Sequence, residues 1–175
     1  VNNSMREVSA SKKLSQFVKE TAENIEDVEA KIVSLRDINL PFYNSPLTPA
    51  SPDYEITDES AKIWQQHVKD ADAIVTLTPE YNFGMAASQK NAIDWLYSEW
   101  DGKPVVAIGY GWGGAEKALP HLNDVMRKVN AKILADDAAN LHFTKTIDLD
   151  GSVIDEATAS EKISKSIQAL VAQTV

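Results

Sequence analysis

Cysteine is missing from all 175 residues, which excludes disulfides and thiolate chemistry and fits a reducing cytoplasm. Histidine is nearly missing too. The three present, His67, His121 and His142, show no metal-ligand spacing, so no metal site is expected. His67 and His121 read as helix-surface residues. No apolar run approaches the ~18–20 residues that a membrane-spanning helix needs, and no signal-peptide pattern is present. Basic residues are in the minority, 17 against 26 acidic ones, for a net charge of −9. That balance argues against nucleic-acid binding and favours solubility. Repeats and low-complexity segments are absent. What remains is an ordinary globular composition, 43% hydrophobic, at a length that suits one domain over residues 1–175.

The stretch from Ala73 to Tyr97 organises the rest. Ala73 to Leu77 is a short apolar run suited to a buried strand. Pro79 has no N–H to give to a ladder, so the strand must end there. Pro79, Glu80, Tyr81, Asn82, Phe83 and Gly84 form a polar and aromatic loop. Met85 to Leu96 then takes helical spacing, with Met85, Ser88, Ala92 and Trp95 on one stripe and Ile93 and Leu96 beside it. This is a strand–loop–helix unit, and ligands of open α/β sheets bind where such loops leave the strands.

The flanking segments follow the same alternation. Ser9 is placed to cap a helix whose inner face carries Leu14, Phe17, Val18 and Ala22. The N–H groups at such a helix start attract phosphate, and Arg6 adds a fixed cation. Val28 to Leu35 alternates and reads as an edge strand. Arg36 to Thr57 holds four prolines and no periodicity, a long loop. Asp58 to Val68 is a helix. Val105 to Ile108 is a second buried strand, followed by GYGWGG, Gly109 to Gly114, which matches no dinucleotide fingerprint or P-loop. Tyr110 and Trp112 either flank a ligand ring or pack against neighbouring loops. Helices over 115–129 and 155–171, with a short strand from Lys132 and a turn at Asp150-Gly151, close the chain.

TPEYN at Thr78–Asn82, a short spacer and KNAIDW at Lys90–Trp95 resemble the signature of the NADPH-dependent FMN reductase family. Ser4, Arg6 and Ser9 match the polar positions of that family's phosphate loop, Gly-Ser-x-Arg-x-x-Ser, and Asn3 stands where glycine is usual. The resemblance implies a three-layer, doubly wound parallel α/β sheet of flavodoxin-like order 2-1-3-4-5. It implies FMN as cofactor and NADPH or NADH as co-substrate. Small-molecule acceptors follow: quinones, azo dyes, metal ions or flavins.

The site so implied joins the loop of Ser4, Arg6, Ser9 and Ser11 to Pro79, Glu80, Tyr81, Asn82 and Phe83. Gly109, Gly111 and Trp112 form the second wall. No catalytic side chain is expected, because the isoalloxazine carries the electron chemistry. Ala86, Ala87 and Gln89 depart from the family's usual Pro, Gly and aliphatic at the start of the central helix. A further departure is that Val1 already lies at the phosphate loop, so the strand that leads into it is expected to precede the given sequence.

The apolar helix 85–97 is at the dimer interface in the resembling family, so a homodimer or dimer of dimers is expected. A flavodoxin-like binding module without turnover is the competing expectation.

Overall fold

The computed structural model describes residues 1–174; Val175, the end of the expected domain, lies outside them. Strand β1 (Ile74–Pro79) pairs in parallel with β2 (Pro104–Gly111) over six residues, from Ile74–Val105 to Pro79–Tyr110. Two short strands share the far side of β2. β3 (Lys132–Ile133) pairs with its start and β4 (Ala139–His142) with its end, both in parallel. A 3₁₀ turn, Ala135–Asp137, separates them. On the near side of β1, Asn2 bridges Leu77 and Ser34, again in parallel. The positions therefore run Ser34, Asn2, β1, β2, then β3 and β4, which is the 2-1-3-4-5 order.

The helices lie on both faces. α1 (Ala10–Glu23) and α6 (Glu156–Val171) cover one, where Leu14, Val18, Leu77, Ile108, Tyr110, Leu141, Ile163 and Ile167 form a core. α3 (Glu59–Asp70), α4 (Ala87–Asp94) and α5 (Ala118–Lys128) cover the other with Trp64, Val68, Ile93, Leu119, Leu122 and Met126. Burying both sheet faces is what near-continuous apolar strands require. Every residue of β2 is buried.

Two expectations need correction. The edge strand over 28–35 is reduced to a single bridge at Ser34, because Asn2 is its one ladder partner among the described residues. Ser34 then caps a helical turn, α2 (Leu35–Ile38), which ends with Asn39 in left-handed backbone.

The second correction concerns the apolar helix. Ile93, Trp95, Leu96 and Trp100 are all buried within the protomer, so they supply no free face for a partner. The proline-rich loop covers them. The Pro41 carbonyl accepts hydrogen bonds from Asn91 Nδ2 (2.9 Å) and Trp95 Nε1 (2.8 Å). The Tyr43 ring meets Trp95 edge-on at 5.4 Å, and the Tyr54 hydroxyl donates to the Trp95 carbonyl (3.0 Å). On the other side Trp64 Nε1 donates to the Ala92 carbonyl (2.7 Å), and its ring lies 6.1 Å from that of Trp100.

Candidate active site

Loops leaving the carboxyl ends of the strands meet at one edge of the sheet. The first runs from Asn3 to Ser9. Asn3 is buried, and its side chain donates to Thr76 Oγ1 (2.7 Å) and the Leu77 carbonyl (2.8 Å). Its own carbonyl accepts from Ser88 Oγ on α4. The polar residue in the glycine position thus anchors the loop to β1. Gln89, the other departure, is buried beside it and donates to Thr76 Oγ1 (3.1 Å) and Thr78 Oγ1 (3.0 Å). The two departures therefore share one hydrogen-bond network beneath the site.

Above this anchor the loop presents hydroxyls. Ser4 is buried, with Oγ 3.4 Å from the Tyr81 hydroxyl. Ser9 caps α1 by accepting from the Ser11 N–H (3.2 Å), and its Oγ lies 2.6 Å from Ser11 Oγ. Arg6 is exposed, and none of the ion pairs among the described residues involves it. A helix start with three serines and an uncommitted cation is a donor set suited to a phosphate monoester.

The second loop is a tight turn. Tyr81 and Gly84 exchange backbone hydrogen bonds of 2.9 and 3.0 Å, and the two residues between them have positive φ, Asn82 at 50° and Phe83 at 67°. That is the pattern of a type I′ turn. Asn accepts it readily, but a phenylalanine there is strained, and such strain gathers at ligand sites. The Phe83 side chain is 67% exposed. The Glu80 side chain has partners of its own. Its Oε2 accepts from the N–H groups of Lys117 (2.9 Å) and Ala118 (3.1 Å), so its carboxylate caps α5 and ties the second loop to the third.

The third loop also divides the expected residues. At Gly109 an added Cβ would lie 2.7 Å from the Gly114 carbonyl and 2.8 Å from Ala115 Cβ. That glycine packs the loop against itself. Gly111 has φ +148°, and a Cβ there would meet nothing closer than 3.9 Å, so its face is open. Trp112 is 70% exposed and meets Phe143 edge-on at 5.8 Å.

Tyr110 is buried, with its ring 6.3 Å from Phe143. Its ring packs into the core beneath α1, with Ala10 and Leu14. Burial pushes the Tyr110 hydroxyl up to about 12, although Ser11, Ser9 and the Arg6 charge act against the rise. The Glu80 cap had no signal in local sequence, because it depends on a contact between segments far apart in the chain.

The sheet order, the hydroxyl-lined loop at the first helix and the strained aromatic turn define a flavodoxin-like flavoprotein of the oxidoreductase class. A sequence model described as NADPH-dependent FMN reductase matches residues 1–146. The chain belongs to that family, whose members use FMN and NAD(P)H. Among similar proteins is the NAD(P)H-dependent FMN reductase LOT6 of Saccharomyces cerevisiae, 36% identical over 73% of this chain and 72% of the relative. The 2-hydroxy-1,4-benzoquinone reductase of a Burkholderia species is 32% identical over 68% of this chain and 66% of its own length. Among solved structures, the flavoenzyme NAD(P)H:(acceptor) oxidoreductase FerB of Paracoccus denitrificans superposes with a TM-score of 0.76. It is 29% identical and covers 98% of this chain and 93% of its own.

Proposed function

We propose that this FMN-dependent NAD(P)H oxidoreductase passes electrons to quinones in the first place, and to azo dyes, metal ions or free flavins as well. When bound, FMN supplies the hydride acceptor and electron donor. The chain's residues divide the remaining work. Ser4, Ser9, Ser11 and Arg6 hold the phosphate. The backbone of the Pro79–Phe83 turn lies along the ring's polar edge. Gly111 leaves room over the ring, and Phe83 and Trp112 offer stacking faces to flat molecules.

The Glu80 cap is the observation that carries the broad acceptor range. The one acid of these loops is committed to the N–H groups of Lys117 and Ala118. What is left to meet an acceptor is backbone, glycine and aromatic surface, with few directional groups to reject an isostere. The benzoquinone reductase among the relatives supports quinones within that range.

One open position must serve the nicotinamide and then the acceptor. Double-reciprocal plots against NADPH at several fixed quinone concentrations are therefore expected to be parallel. Intersecting lines would rule out a shared position. A single acceptor favoured by roughly ten-thousand-fold would rule out the loose pocket, since discrimination that large needs paired buried polar groups. An anaerobic NADPH titration that left the flavin band unbleached would favour a binding module without turnover.

We also propose a homodimer or dimer of dimers in the cytoplasm. With the α4 face covered, support for association comes from exposed apolar side chains, Phe42 at 77% and Leu47 at 42%, on the proline-rich loop. Sedimentation equilibrium at micromolar concentration is expected to give twice or four times the 19.2 kDa of one chain. A monomer would count against it.

A further inference from the structure

Helix α5 begins without a cap of its own. Lys117 stands at its N-cap position and makes no side-chain bond there, and the first turn holds no acid. The lysine charge also has the wrong sign for a helix start. The cap comes from another segment: Glu80 Oε2 accepts from the N–H groups of Lys117 (2.9 Å) and Ala118 (3.1 Å). Glu80 follows the last ladder pair of β1 and β2, Pro79–Tyr110, so it leaves the sheet beside the third loop. Its side chain runs along that loop. A Cβ on Gly111 would lie 3.9 Å from Glu80 Cβ, and one on Gly113 would lie 3.9 Å from Glu80 Oε1. The loop so spanned is costly to hold. Gly114 (φ 61°) and the buried Ala115 (φ 63°) are successive residues in left-handed backbone, which alanine rarely adopts. Strained backbone persists only where its surroundings over-determine it. Here Asn140 holds the middle, donating from Nδ2 to the Gly114 carbonyl (2.5 Å), and Glu80 holds the far end.

We propose that Glu80 is a positioning residue: by capping α5 from the loop after β1, it fixes the spacing between the turn Tyr81–Gly84 and the loop Gly111–Ala115, and with it the width of the flavin slot. It rests on the reading given above that these two loops are the walls of that slot. Glu80 acts through the backbone of the third loop and not by touching the flavin. When the tie is lost, only the fraction of molecules that still holds the spacing can bind, and the apparent dissociation constant rises by the inverse of that fraction.

Three variants are compared with the wild type: Glu80→Gln, Glu80→Ala, and Glu80→Ala combined with Pro120→Glu. Glutamine keeps an oxygen to accept both N–H groups. Pro120 is exposed in the first turn of α5, so a glutamate there returns an acid to the helix start without tying it to the loop after β1. In apo Glu80→Ala, amide hydrogen exchange read by NMR is expected to quicken roughly ten-fold from Gly111 to Ala118, and the FMN dissociation constant to rise by a similar factor. Glu80→Gln is expected to stay within about three-fold of the wild type in both, since it keeps the bonds and loses only their charge assistance. The double variant is expected to regain stability in urea while exchange over 111–115 stays fast and FMN binding stays weak. If its affinity returns with its stability, or if exchange in Glu80→Ala quickens at Lys117 and Ala118 alone, Glu80 is a helix cap only and the proposal is overturned. An unchanged FMN constant in Glu80→Ala overturns it as well. So does a Glu80→Gln as weak as Glu80→Ala, because the bonds would then not hold the spacing. The slot reading is checked apart from Glu80, on the wild type: bound FMN is expected to slow exchange over both 80–84 and 111–115. If FMN binds without slowing both, these loops are not the walls, and the reading fails together with the proposal.

Discussion

Gly151→Ala is expected to cost about 2–4 kcal/mol of stability and to weaken FMN binding with it. Two effects add at this position. The residue has φ +86°, where an L side chain is strained by ~1–2 kcal/mol. The new Cβ would also stand 1.9 Å from the carbonyl oxygen of Ala10 and 2.6 Å from its carbon. Those are backbone atoms in the first turn of α1, and they cannot swing aside as a side chain can. Overpacking of this kind adds ~1–3 kcal/mol. The loop cannot simply lift away either, since Lys13 pairs with Asp150 and donates to Ser152 Oγ (2.9 Å) across the same contact. Ala10 follows the Ser9 cap directly, so the displacement reaches the loop proposed to hold the phosphate. Urea unfolding of the apo-protein and an FMN titration measure the two effects. Gly102→Ala is the control: its φ is +68°, but an added Cβ meets nothing within 4 Å. It should show only the strain of ~1–2 kcal/mol. If the two variants lose the same stability, the contact with Ala10 does not limit the fold.

Arg6→Ala is expected to raise the FMN dissociation constant roughly ten- to a hundred-fold, from the loss of a charge-assisted contact worth ~1.5–3 kcal/mol. Arg6 is exposed and joins none of the ion pairs among the described residues, so the apo-protein loses no native contact of consequence. Its melting temperature should therefore stay put while the affinity falls. The double change Ser4→Ala/Ser9→Ala acts in the same direction, with one difference. Ser9 caps α1, so this variant also loses ~1 kcal/mol of stability. Unchanged affinity in both variants would reduce the loop to a helix cap. The Arg6 effect should shrink as salt is added, since exposed charges are screened over ~8–10 Å at physiological ionic strength.

The parts of this fold that sequence reveals are those that repeat. Val105 to Ile108 is apolar because both of its faces are covered, and β2 extends that run to Gly111. Pro79 was expected to end the central strand and is its last residue. Ser9, Asp58 and the 156–171 helix are likewise where their caps and spacing put them. The covering of α4 was not legible. Trp95 looked surplus by periodicity, yet its partner is the carbonyl of Pro41, 54 residues earlier in a loop with no period at all. The partners of the Glu80 carboxylate were hidden for the same reason: the N–H groups it satisfies belong to the start of α5, 37 and 38 residues on. Gly109 and Gly111 are the same residue type two positions apart. Only their neighbours in space separate the one that packs from the one that opens the site.

The convergence of Ser4 on Tyr81, 77 residues away, gives the cofactor a part in holding the chain together. A flavin seated across those loops, as proposed above, would fasten the amino-terminal segment to the turn that leaves β1, as a removable rivet would. It binds only the folded form, so at a free concentration a hundred times its dissociation constant it adds about 2.7 kcal/mol to the folding equilibrium. The supply of flavin in the cell therefore sets how long each copy survives proteolysis, as well as how many copies are active.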